Sequence, residues 1–343
     1  MSTAKGSVIA PADIDIPRRR PSKLGSCLRF IRYKPLGATG GLVVLVLVFT
    51  ALAAPVMTPY DPYETDLDKM LTPPGQEFPM GTDRFGRDVL TRIIWGARVS
   101  LYIGVSAVAI GQGTGGFLGL VSGYFGGKVD AVLQRMMDAL MAFPMLVLAL
   151  ATVAALGPSA NNVIIAVSVV QMPRASRVIR SATLSVKQAQ YVEAARAIGC
   201  SDARILLLHV LPQCIAPFII IATVALGQAI LVEASMSFLG LGTPPPLPSW
   251  GRMLSGSGRQ LVEVAPWLAI FPGLAISLAV FGFNLLGDAM RDVLDPQAQR
   301  NLEGNDSGNR SSRIPDMGGR KWQPGRRPAS ETRNGTRTSF SGN

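Results

Sequence analysis

Residues 191–200 read YVEAARAIGC. The run is built from strong helix formers, carries one acidic and one basic residue, and closes on a glycine. Apolar segments long enough to cross a membrane lie on both sides of it. A charged, alanine-rich helix between such segments belongs outside the lipid, and the question is what it meets there.

Working outward, hydrophobic residues make up 48% of the 343 and charged residues only 16%, which points to a membrane chain before any segment is examined. Six apolar runs stand out, at 37–57, 99–121, 138–157, 160–175, 214–236 and 265–287. Most approach the ~20 residues that a helix needs to cross ~30 Å of hydrocarbon. The fourth is short and ends at Pro173, so its helix is expected to continue beyond the lipid. The basic lead-in and ALAA (51–54) of the first run also fit a cleaved signal peptide. Against this, the run is longer than a usual signal core and five more spans follow it.

Orientation follows from Lys and Arg in the loops. With both termini inside, the inner segments 1–35, 128–135, 174–204 and 291–337 hold twenty-six of these residues and the outer segments seven. Both termini are therefore expected in the cytosol. The net charge of +11 is accounted for by inner-face loops and an anionic leaflet, without nucleic acid. Cys27, Cys200 and Cys214 all fall on the inner side without a CxxC pair and read as reduced structural residues. With His209 as the sole histidine, a histidine-based metal site is excluded, and the methionines at 136, 137, 141 and 145 read as packing residues rather than a soft-metal path.

Three domains are expected: a basic segment at 1–35, an all-α integral-membrane domain of six spans at 36–296, and a disordered basic tail at 297–343. Within the second span Ala107, Gly111, Gly115, Gly119, Gly123 and Gly127 recur every four residues. Such a stripe lets another helix approach closely, either as a fixed interface or against a moving neighbour. SGYFGGKV (122–129) mimics a phosphate loop, but Ser122 stands where glycine is needed and Val129 where a hydroxyl is needed.

The inner loop continues VKQAQYVEAARAIG (186–199) and CSDARILLLHVLP (200–212). A first helix should end near Gly199, Ser201 or Asp202 should cap a second, and Pro212 should mark where the fifth span begins. Ala194 and Ala195 offer a face without bulk that fits a partner's groove, with Glu193 and Arg196 to orient it. An ordinary amphipathic connector is the competing reading.

Elsewhere, Glu233 with Gln228 in the fifth span suggests a translocation path, or else a bond to a neighbouring helix. Asn284 and Asp288 in the last span read as structural. GTDRFGRDVLTR (81–92), with Ile93 and Ile94, reads as an amphipathic interfacial helix. Trp250 and Trp267 read as interface anchors.

EAARAIG followed by HVLP resembles the EAA loop of permease subunits in ATP-binding-cassette importers. Glu193, Ala194, Ala195, Gly199, Leu211 and Pro212 match its pattern, while His209 replaces an apolar position. GTDRFGRDVLTRIIWGARVSL (81–101), GYFGGKVDAVLQRMMD (123–138), SFLGLGTPPPLPSWGRML (237–254) and the long run from Pro266 to Pro296 narrow the resemblance to the dipeptide/oligopeptide permeases of the DppC/OppC type.

The resemblance implies a type I importer core in a bacterial inner membrane. It also implies a homologous second permease, one or two separate ATPases that hold ATP and magnesium, an extracytoplasmic solute-binding protein, and a coupling helix in the 186–212 loop. This chain itself would hold no cofactor and catalyse nothing. Peptides, glutathione and nickel chelates are all substrates of similar permeases. A self-sufficient secondary transporter would instead need inverted repeats and paired buried charges, for which the sequence gives little sign.

Overall fold

The computed structural model describes residues 35–255, 261 and 263–294. The expected basic segment up to residue 34, Cys27 and the tail at 297–343 lie outside the described residues.

Among the described residues every regular element is helical, apart from one isolated bridge between Thr82 and Asp88. The helices are α1 (Pro35–Met57), α2 (Val89–Phe125), α3 (Gly127–Met141), α4 (Met145–Leu156), α5 (Ala160–Lys187), α6 (Gln190–Ala197), α7 (Asp202–Phe238), α8 (Trp250–Met253) and α9 (Trp267–Leu294). Four of them, α1, α2, α7 and α9, are each long and apolar enough to cross a membrane. Their outward faces carry bare apolar side chains such as Leu45, Phe49, Leu52, Leu274 and Phe281, the arrangement that lipid permits and water penalises.

Two features depart from the sequence expectation for the spans. The run 138–157 is not one helix: α3 and α4 meet at an angle of 91°. Pro144 sits at the start of α4, where its ring removes a donor and drives Phe143 out of helical conformation. The 12 residues of α4 cover only about 18 Å. The second departure is α5, which runs 28 residues through Pro173 to Lys187 yet is not apolar enough to count as a span alone. Asn161, Asn162, Gln171, Arg174, Arg177 and Arg180 dilute it.

At the other end of the molecule, residues 81–88 form no separate interfacial helix ahead of α2, and the nearest helical element described before them is the 3-10 turn Leu67–Lys69. Asp88 caps α2 by accepting from the Thr91 N–H at 2.8 Å and its hydroxyl at 2.6 Å. Asp83 holds the preceding turn by accepting from the N–H groups of Phe85 and Arg87. Trp250 is likewise no interface anchor: it is buried and donates from Nε1 to the Ile93 carbonyl at 3.0 Å. Its ring fills the space that the missing side chain of Gly96 leaves.

The densest packing lies between α2 and α5. Gly111 faces the backbone of Ser168, Gly115 that of Met172, Gly119 that of Ser176, and Gly123 the Thr183 side chain and Arg180 carbonyl. A Cβ on Gly115 or Gly119 would collide with a carbonyl oxygen of α5, so the two backbones are in direct contact along this seam. Gly127 lies beyond it, at a positive φ of 55° with open space around it.

Candidate functional site

α6 is an eight-residue helix held against the rest of the chain by one face. Val192 and Ala195 are buried with Leu120, Tyr124, Ile179, Ile205, Val210 and Cys214. A fully buried aliphatic side chain contributes about 1.5–3 kcal/mol, so this cluster is sufficient to seat a helix too short to persist alone. Ala195 therefore faces the chain's own interior, and the expectation that it joins Ala194 on the outer face is corrected. The periodicity was available: Val192 and Ala195 are three residues apart.

The outer face of α6 presents Tyr191, Ala194 and Ile198, with Glu193 and Arg196 also exposed. Ile198 is 81% exposed. Leu207 and Leu208, in the first turns of α7, are more than half exposed as well. Glu193 lies in the first turn and Arg196 in the last, each favourable against the helix dipole.

Gly199 ends α6. Its φ of 84° is the left-handed conformation that a side chain resists. This lets Cys200 N–H reach the Ala195 carbonyl at 3.1 Å and Gly199 N–H the Arg196 carbonyl at 3.0 Å, the paired bonds of a Schellman turn. Ser201 then starts α7, while the Asp202 carboxylate accepts from the Tyr124 hydroxyl at 2.6 Å instead of capping its own helix. Lys187 Nζ donates to the Tyr124 carbonyl. Tyr124, at the end of α2, thus ties together the ends of α5 and α7 that flank α6, a role the sequence reading did not assign.

Leu211 and Pro212 do not begin a new helix. Residues Leu206–Val210 form a π turn, and α7 continues through it to Phe238. The widened turn relieves the clash that Pro212 would make in an ordinary helix.

A second set of contacts fixes α3 to α5. Arg180 donates from two nitrogens to the two oxygens of Asp130, both at 2.6 Å, and Ser122 donates to the same carboxylate. Arg177 pairs with Asp138 at 2.6 Å.

Gln228 and Glu233 do not come together. They are five residues apart, about 140° around α7. Glu233 is completely buried; it accepts from Ser237 at 2.8 Å and faces Ser100 of α2 at 3.5 Å. Gln228 is partly exposed on another side, where Arg174 Nη1 donates to its Oε1 at 3.2 Å.

Residues 115–300, more than half of the chain, match the family described as binding-protein-dependent transport system inner membrane component. The chain belongs to this family. Residues 26–74 of the permease also match the N-terminal TM domain of oligopeptide transport permease C. It is 42% identical over 267 residues to a dipeptide transport system permease protein of Alkalihalophilus pseudofirmus, covering 78% of this chain and 88% of the relative. A di/tripeptide transport system permease protein of Pseudomonas aeruginosa is 46% identical over 268 residues, 76% and 88% of the two chains. A glutathione transport system permease protein of Pectobacterium atrosepticum is 42% identical over 270 residues, 78% and 89%. The permease is thus of the dipeptide/oligopeptide type, a multi-pass inner membrane subunit and not itself an enzyme.

Proposed function

We propose that this permease forms half of the translocation path of an importer for di- and oligopeptides, and that α6 is its coupling helix. The likeness to permeases named for dipeptide and di/tripeptide transport supports the substrate class. The relative named for glutathione, itself a small peptide acid, keeps that substrate as the second reading. The homologous partner permease completes the path, one or two separate ATPases hold ATP and magnesium, and an extracytoplasmic binding protein delivers the solute.

Six crossings are counted by adding the bent α3–α4 pair and α5 to the four apolar helices, with both termini in the cytosol as the Lys and Arg asymmetry favours. The permease domain spans 36–296 on this reading.

The observation that carries the coupling role is the exposure of Tyr191, Ala194 and Ile198 on a helix whose other face is anchored. A short helix so held moves as a rigid plug when a groove closes on it, and so passes on a partner's motion without chemistry of its own. Ala194 is a position without bulk on that exposed face. Replacing it by glutamate, Ala194→Glu, should leave insertion and assembly intact while peptide uptake falls at least tenfold and ATP hydrolysis persists. Normal uptake by that variant overturns the coupling role. Purification in mild detergent followed by mass spectrometry tests the partners: a sister permease and ATPases are expected, and a chain recovered alone overturns the importer assembly.

A further inference from the structure

Arg174 is an exposed cation in an unusual place. It lies fourteen residues into α5, about 21 Å from the Ala160 end, and Gln228 lies ten residues before the Phe238 end of α7, about 15 Å from it. The two meet at 3.2 Å, so the pair falls near the middle of ~30 Å of hydrocarbon, and Arg174, which the sequence reading places in the inner segment 174–204, lies within the lipid instead; without it the inner segments still hold twenty-five Lys and Arg against seven. Gln171, one turn before Arg174, is buried and bonded to Gln112 of α2 at 3.2 Å. Gln112 Oε1 is buried without a partner. A polar belt therefore crosses α2, α5 and α7 at mid-depth.

Arg174 makes a single hydrogen bond there, leaving other guanidinium donors for use, and among the described residues no carboxylate lies within ion-pairing distance of it. A bare arginine at that depth is costly unless it faces a wet cavity or an anion. The helix that bears it is also less suited to lipid than its neighbours, since α5 alone among the four described helices of 28 residues or more is too polar to count as a span. Lipid contact is thereby disfavoured for this helix, and an aqueous path is favoured.

We propose that Arg174, steadied by Gln228, receives the terminal carboxylate of a peptide as it crosses the bilayer midplane. The inference rests on the peptide-import reading above. A planar guanidinium matches a carboxylate with two parallel hydrogen bonds, and every unmodified peptide carries this group whatever its side chains. The site thereby gives affinity for the substrate class without selecting among sequences.

The test uses the complete importer, reconstituted in vesicles with its binding protein, and compares a tripeptide as free acid and as C-terminal amide. Wild type should carry the free acid at least tenfold faster. Arg174→Gln should lower free-acid uptake about tenfold, toward the amide rate, with assembly and amide uptake unchanged, and Arg174→Lys, which keeps the charge but not the paired hydrogen bonds, should recover only part of the free-acid rate. Equal wild-type uptake of both peptides overturns the proposal, as does a preference that survives Arg174→Gln. Equal loss of both substrates, or loss of the sister permease from the purified Arg174→Gln complex, also overturns it and assigns Arg174 to subunit contact. Failure of the wild-type importer to carry either peptide instead overturns the peptide reading itself.

Discussion

The α2–α5 seam and the α6 loop are both built from alanine and glycine, yet they use small residues for opposite ends. Along the seam Gly111, Gly115, Gly119 and Gly123 remove bulk so that two long backbones touch. On α6 Ala194 removes bulk from a face left exposed among the described residues, while Ala195, one residue on, is packed inside. A small side chain therefore signals closeness to a partner, and the pattern around it decides whether that partner is internal or external.

The contrast breaks most sharply at the seam. Gly119→Leu drives a branched side chain into the Ser176 carbonyl, and backbone cannot rotate aside as a side chain does; the loss should be upward of about 4 kcal/mol, read as a collapse of monodisperse protein and of its melting temperature in mild detergent. On α6 the neighbouring alanines should separate. Ala195→Glu buries a charge among Val192, Ile205 and Val210 and should cost on the order of 3 kcal/mol, whereas Ala194→Glu should change stability by less than about 0.5 kcal/mol. Similar melting temperatures for the two variants would contradict the assignment of their faces.

A smaller loss than that of Ala195→Glu belongs to the Asp130–Arg180 pair. Asp130 accepts two hydrogen bonds from Arg180 and one from Ser122, all of which need the ionised carboxylate as acceptor. The pair is partly solvent-exposed, so Asp130→Asn should cost at most about 1 kcal/mol near neutrality. The difference from wild type should vanish in acid, as a pH series of melts would show.

Much of this architecture was legible in the chain. Apolar runs located α1, α2, α7 and α9 because lipid demands long unbroken hydrophobic stretches. The same demand hid the break at Phe143–Pro144, since DALMAFPMLVLAL stays apolar across the bend. Asp88 was read as part of an amphipathic helix because its spacing suits one, when its carboxylate in fact ends the loop and starts α2. Pro212 was given its usual meaning as a helix boundary, and only the π turn before it removes that meaning. For α6, Gly199 fixed the end of the helix. The inward turn of Ala195 depends on Ile205 and Val210 arriving from α7, which local sequence does not announce. Tyr124 and Asp202 meet across seventy-eight positions, a pairing that no short motif contains.

The junction between α5 and α6 has a mechanical consequence. Only Gln188 and Ala189 separate the end of α5 from the start of α6, and α5 itself is a continuous helix of 28 residues, about 42 Å long, with Pro173 in its middle and its side packed backbone to backbone on α2. The seam with α2 holds α5 on both sides of Pro173, at Met172 and at Ser176, which stiffens the one place where the helix lacks a backbone hydrogen bond. A push of an ångström or two on α6 arrives at the midplane as a tilt of the whole α2–α5 pair, in the manner of a lever with its handle outside the lipid. If α6 couples as proposed, the two glutamines and the arginine shift together, and the wall of the proposed path changes all at once instead of residue by residue.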